Sequence, residues 1–165
     1  MRLPTLPHPK VLAFDVFGTV VDWHSGIARE VAALRPGVDG DAFALDWRAG
    51  CEPARRRVMS AELGLTKRAG LPWDCILSAE LFRAYKPDPA TYLGVANVFD
   101  LSPAEAMLVA AHQDDRAGAP ACGLQSAYIE RATEFGATRL KDVSPDRDNR
   151  LHATDLLALA DQLDC

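Results

Sequence analysis

The 165-residue sequence contains no apolar run approaching the roughly 20 consecutive residues that a membrane-spanning helix needs. It has no excess of positive charge either. Its 18 Lys and Arg stand against 23 Asp and Glu, a formal net charge of -5, so the electrostatic footprint of a nucleic-acid binder is missing. The four cysteines, Cys51, Cys75, Cys122 and Cys165, show no C-x-x-C or other metal-ligand spacing, which makes reduced thiols in a cytoplasm the expectation. Residues 1–9 lack the apolar core of a signal peptide, and Pro4, Pro7 and Pro9 point to an extended arm over 1–10. No internal repeat or low-complexity segment interrupts the rest, and the length suits one domain over 11–165. Arg55-Arg56-Arg57 is the one basic cluster and reads as a solvated helix face.

What is present is an alternation of apolar runs and helix-like segments. The coarse reading is strand 11–17, helices 25–34 and 41–63, strand 75–78, helix 88–99, strand 107–111, helix 113–119, strand 125–129 and helix 153–163, with a loop from Val143 to Arg150. Such an order predicts an α/β fold, a Rossmann-like parallel sheet with flanking helices. Pro120 is expected to shorten or bend the helix in which it falls.

Three of the strand ends carry chemistry. Val11-Leu12-Ala13-Phe14-Asp15-Val16-Phe17-Gly18-Thr19 ends in a carboxylate, a glycine and a threonine. A buried parallel strand delivers the next residues to the carboxyl edge of the sheet, where open α/β sheets hold ligands, and this places Asp15 as a nucleophile. Gly18 can take a tight path, with its N–H and that of Thr19 toward a substrate anion. Alone, the pattern more often marks a helix cap or a turn. Tyr85-Lys86-Pro87-Asp88-Pro89 follows the second apolar run, and prolines would fix Lys86 where its ammonium can neutralise a carboxylate. The third run leads into His112-Gln113-Asp114-Asp115.

The FDVFGT, YKPDP and VAAHQDD segments resemble the haloacid dehalogenase superfamily, and within it the type II 2-haloacid dehalogenases. The similarity runs from about Val11 to Met59 and from about Lys67 to the C-terminus. By that resemblance Asp15 is the nucleophile, Thr19 a hydrogen-bond partner near it and Lys86 the stabilising cation. Asp115 is the acidic residue that holds Lys86 or helps to activate water, and Arg48 receives substrate carboxylate or departing halide. His112 stands where relatives often carry an amide; either it donates to the halide or it merely caps the next helix. Trp23 and Trp47 form a lid over the site or pack as ordinary core. The resemblance implies a small 2-haloacid as substrate, with no nucleic acid, membrane or cofactor, and it leaves a homodimer open.

Phe17 separates branches of the superfamily. Its phosphatases read Asp-x-Asp, and a phenyl ring neither donates a proton nor ligates a hard cation, so no metal is expected here. The implied reaction is hydrolysis of a carbon–halide bond through an aspartyl ester. The family's second motif, a strand ending in Ser or Thr, is not found between Gly50 and Leu71, and most of the helical cap is missing too. The chain reads as a dehalogenase shortened near Glu62 to Thr66, with a cap remnant over about 25–66. A gap in the sheet, an open pocket and impaired activity are the expected consequences. The alternatives are an inactive remnant and, disfavoured by Phe17, a phosphatase-type hydrolase.

Overall fold

Apolar residues occur at both odd and even positions of Ala106-Met107-Leu108-Val109-Ala110, and such a segment can only be satisfied by burial on two faces. A computed structural model of the chain, which describes residues 6–50 and 70–165, places it in the middle of a sheet. Four parallel strands, β1 (Val11–Phe14), β2 (Ala106–Ala110), β3 (Gln125–Ile129) and β4 (Leu151–Ala153), pair in the order β1-β2-β3-β4. Their registers set Phe14 beside Val109, Val109 beside Ala127 and Ala127 beside Leu151. The chain is therefore an α/β protein with a Rossmann-like parallel sheet.

Two compact units make up the described residues. The first holds the chain up to Asp15 together with Leu77–Glu130 and Ser144–Cys165; the second holds Val16–Ile76 and Arg131–Val143. In the second, α1 (Trp23–Leu34) starts at Asp22, whose side chain accepts from the Ser25 N–H, and α2 is helical over 40–50. Gly40 lies so close to the Ala28 carbonyl that no Cβ would fit between them. The first unit adds α3 (Ala79–Phe82), α4 (Pro89–Val98), α5 (Gln113–Ala121) and α6 (Leu156–Gln162) to the sheet. Among the described residues no helix is long and apolar enough to cross a membrane.

Strand periodicity splits the core of the first unit in two. Ala106, Leu108 and Ala110 face Tyr92 and Ala96, one helical turn apart on α4, together with Ala119 on α5. Met107 and Val109 face the other way, with Ala127 and Ile129, onto Leu159 and Leu163 near the end of the chain. Both α4 and α6 begin on an aspartate cap: Asp88 accepts from the Ala90 N–H at 2.9 Å, and Asp155 from the Ala158 N–H at 2.8 Å.

Several sequence expectations are corrected. Residues 75–78 form no strand; Ile76 and Leu77 are half-buried, but no neighbouring strand among the described residues offers them a ladder. Apolar content alone does not make a strand. Likewise the outer edge of β1 has no partner strand among the described residues, and β1 stays half-buried while β2 and β3 are buried throughout. Strand β4 occupies 151–153, where the sequence reading started a helix, and α6 begins three residues later. Pro120 sits in the last turn of α5, where its missing N–H interrupts little, and the helix runs through it to Ala121. The expected absence of a strand with a terminal hydroxyl concerns residues 51–69, which lie outside the described residues.

Candidate active site

Strand β1 ends at Phe14, and the next N–H, that of Asp15, still donates to the Val109 carbonyl at 2.9 Å. The ladder with β2 thus fixes Asp15 at the carboxyl edge of the sheet. Beyond the end of β2, α5 carries Asp115, and His112 occupies its N-cap position. Lys86 comes from the loop ahead of α4, outside any strand.

These four residues meet within the first unit. The Lys86 ammonium donates to Asp15 Oδ1 at 2.6 Å and to Asp115 Oδ2 at 2.7 Å, short distances that mark charge-assisted bonds. The other oxygen of Asp115, Oδ1, accepts from the Tyr92 hydroxyl at 3.2 Å. Both oxygens of Asp115 are thus engaged, which makes it a carboxylate that positions Lys86. Asp15 is arranged differently, with Oδ1 on Lys86 and Oδ2 3.3 Å from His112 Nδ1. His112 makes no capping hydrogen bond through its side chain, so its ring is directed at Asp15 and not at the start of α5.

The electrostatics follow from these contacts. Burial by itself raises the Asp15 carboxyl, but the Lys86 ammonium and the hydrogen bond from His112 overcome it and hold the group well below the ordinary carboxylate range. Burial likewise lowers Lys86, and the two carboxylates outweigh it, keeping the ammonium charged beyond the ordinary lysine range. Tyr92 is raised by burial and then by the Asp115 charge, so it remains a neutral donor. The product is an ionised carboxylate with one oxygen tied to a cation and the other beside an imidazole. Ligand atoms of Asp15, His112 and Asp115 lie within 4.8 Å of one another, a donor set with metal-binding potential. Lys86 already bridges its two carboxylates, and a hard ion such as magnesium prefers oxygen to the imidazole nitrogen.

The chain aligns over 94% of its length with 99% of the L-2-haloacid dehalogenase PA0810, at 30% identity and a TM-score of 0.81. It belongs to the L-2-haloacid dehalogenases. The defluorinating L-2-haloacid dehalogenase Rha0230 matches over 100% of this chain and 99% of its own, at 29% identity and a TM-score of 0.84. A dehalogenase from Xanthobacter autotrophicus, at 18% identity over 93% of this chain and 98% of its own, shares the fold with a TM-score of 0.69. No family model matches the sequence, and no curated protein does. Membership makes the protein a hydrolase-type enzyme with the parallel sheet described above.

Thr19 and Arg48 belong to the second unit. Thr19 is fully buried, and its carbonyl accepts from Arg131 Nε at 2.7 Å. The Arg48 guanidinium lies 4.7 Å from the centre of the Phe17 ring and 5.8 Å from that of Trp23, so cation–π attraction places it over an aromatic stack. Phe17 and Trp23 are stacked at 5.5 Å; Trp23 is buried, whereas Trp47 keeps 39% of its surface exposed. The Gly18 N–H does not reach toward an anion: it donates to the Val21 carbonyl at 3.2 Å, in a turn that uses the glycine's φ of 92°.

Tyr92 was absent from the sequence reading. Its place in α4, on the face that carries Ala96, reads as core, and at 2% exposure it is core. Its hydroxyl nevertheless reaches Asp115. The available signal was the polar tip itself, since a buried tyrosine hydroxyl needs a partner.

Proposed function

We propose that the protein hydrolyses the carbon–halide bond of a short 2-haloacid, with Asp15 as nucleophile and an aspartyl ester as intermediate. The carboxylate displaces halide from C2, and water then hydrolyses the ester. The bridge formed by Lys86 between Asp15 and Asp115 carries this reading. It supplies an ionised nucleophile at a sheet edge and a fixed cation beside it, where negative charge changes hands. Asp115 holds Lys86 in place, aided by the Tyr92 hydroxyl. Thr19 is assigned hydrogen bonding near the nucleophile, Arg48 the substrate carboxylate or departing halide, and His112 an N–H donor beside the reacting oxygen.

Displacement at carbon fits better than phosphoryl transfer, because position 17 offers a phenyl ring packed against Trp23 where a phosphatase needs its acid. A weakened catalyst is the second reading, favoured by β1 being the end strand of the sheet among the described residues and only half-buried where β2 and β3 are buried throughout. Chloride release from 2-chloropropionate by the folded protein tests the proposal, with 2-fluoro acids as further substrates because the relative Rha0230 is a defluorinating enzyme. The expected result is chloride release unaffected by EDTA. Hydrolysis of p-nitrophenyl phosphate dependent on magnesium would contradict it.

A further inference from the structure

The segment 131–143 that follows β3 belongs to the second unit together with Thr19, Trp23 and Arg48, and it grips the residues leading into α1. Arg131 Nε donates to the Thr19 carbonyl at 2.7 Å. The Phe135 ring stands edge-on to Trp23 at 6.1 Å, and Gly136 lies so close to His24 that a Cβ there would come within 2.7 Å of the ring. One contact in this set is polar on both sides: the indole N–H of Trp23 donates to Glu134 Oε1 at 3.4 Å.

The Glu134 side chain is 2% exposed, and its second oxygen, Oε2, accepts from the Lys141 ammonium at 2.5 Å. A buried ion pair adds little net stability over apolar side chains of the same size, because desolvation offsets the attraction; what it supplies is one fixed geometry. Here that geometry is passed to an indole. Trp23 stacks on Phe17 at 5.5 Å with the planes 12° apart, and the Arg48 guanidinium lies over both rings, 4.7 Å from the centre of Phe17 and 5.8 Å from that of Trp23. A guanidinium attracted to ring faces follows the rings.

We infer that Glu134, fixed by Lys141, is a positioning residue for Arg48: through the Trp23 N–H it sets the aromatic stack on which the guanidinium rests, and so sets affinity for the substrate carboxylate. This rests on the reading of Arg48 as the receiver of that carboxylate. Bidentate recognition depends on the orientation of the guanidinium plane, so a tilted stack weakens binding of the acid before it alters displacement at C2. The role is one of orientation, with no proton exchanged.

Two charge-balanced double variants separate the hydrogen bond from the ion pair. Glu134→Gln with Lys141→Met keeps an acceptor oxygen for the indole and removes both charges, whereas Glu134→Leu with Lys141→Met removes the acceptor too. With 2-chloropropionate the Glu134→Leu double variant should show KM raised by about tenfold and kcat changed by less than about twofold, the pattern of lost uniform binding. The inhibition constant of propionate, a carboxylate with no halogen to displace, should rise by about the same factor, and the Glu134→Gln double variant should restore both constants to near wild type. Trp23→Phe removes the N–H with the ion pair left in place, serves if the buried pair does not tolerate replacement, and should raise both constants likewise. Unchanged constants in the Glu134→Leu double variant and in Trp23→Phe, a loss confined to kcat, or equal impairment of the two double variants would overturn the inference. Arg48→Met tests the underlying reading separately: an unchanged propionate constant there would mean that Arg48 does not receive the carboxylate, whereas a raised one beside unaffected Glu134 variants removes only the positioning role.

Discussion

Replacing Lys86 with methionine should invert the pH dependence of stability. In the wild type Asp15 is held below its ordinary pKa, so its share of stability is present above about pH 3.9 and is lost as pH falls through the depressed value. Lys86 is raised, so its share is complete below about pH 10.4 and is lost only at still higher pH. Between those limits the shares of Asp15 and Lys86 are constant. Methionine keeps most of the lysine stem and removes the cation, leaving two carboxylates whose facing oxygens lie within 4.8 Å. At an effective dielectric constant of about 20, like charges at that separation repel by about 3.5 kcal/mol, equivalent to about 2.5 pKa units.

The bared pair should therefore share one proton well above the ordinary carboxylate range. A carboxyl raised in the native state stabilises it below the unfolded pKa, and that contribution falls away as pH climbs above about 4. At neutral pH the loss should be about 3 kcal/mol, the low end for a broken buried pair, because the Lys86 side chain is 30% exposed and water can partly replace it. Urea unfolding at pH 4.5 and 7.5, values chosen at about the two ends of this window, is the assay. Wild type should be at least as stable at the higher pH, and Lys86→Met clearly less so. Parallel profiles for the two proteins would show that Lys86 does not hold the carboxylates together, and the account of the site would fail.

Tyr92→Phe removes the hydroxyl that Asp115 Oδ1 accepts from, and should cost about 1 kcal/mol in urea unfolding. Because Tyr92 acts through Asp115 and Lys86, kcat should fall while KM stays nearly constant; a change confined to KM would contradict that placement. Gly118→Ala would put a Cβ 2.5 Å from the Tyr92 hydroxyl, so overpacking of about 1–3 kcal/mol is expected from thermal melts. An unchanged melt would mean that α4 and α5 are not packed as described.

The sheet was legible wherever apolar residues filled both faces of a strand. Residues 107–111 read as a strand from sequence because no polar residue interrupts them, and β2 became the buried centre together with β3, whose Gln125 and Ser126 are buried polar residues. Strand β4 escaped because its three residues, Leu151-His152-Ala153, are too few to show a period, and His152 there finds Glu130 at 2.8 Å. Residues 75–78 were misread for the opposite reason, having the composition of a strand and no partner among the described residues. Convergence of Asp15, Lys86 and the His112/Asp115 segment could be anticipated, since each follows or precedes an element whose direction the parallel sheet dictates. What no pattern could show was the allocation of oxygens: which one Lys86 binds, which one His112 faces, and that Tyr92 completes Asp115. Those depend on rotamers fixed by tertiary packing.

The central claim is that Asp15 carries the substrate covalently. A single turnover of 2-chloropropionate in ¹⁸O-water, with enzyme in excess, tests it most directly, because attack of water on Cγ leaves the solvent oxygen in the enzyme. The account predicts ¹⁸O in the peptide that contains Asp15 and an unlabelled first product. Label appearing straight away in the 2-hydroxy acid, with none in that peptide, would mean that water attacks the substrate itself and that Asp15 is not the nucleophile.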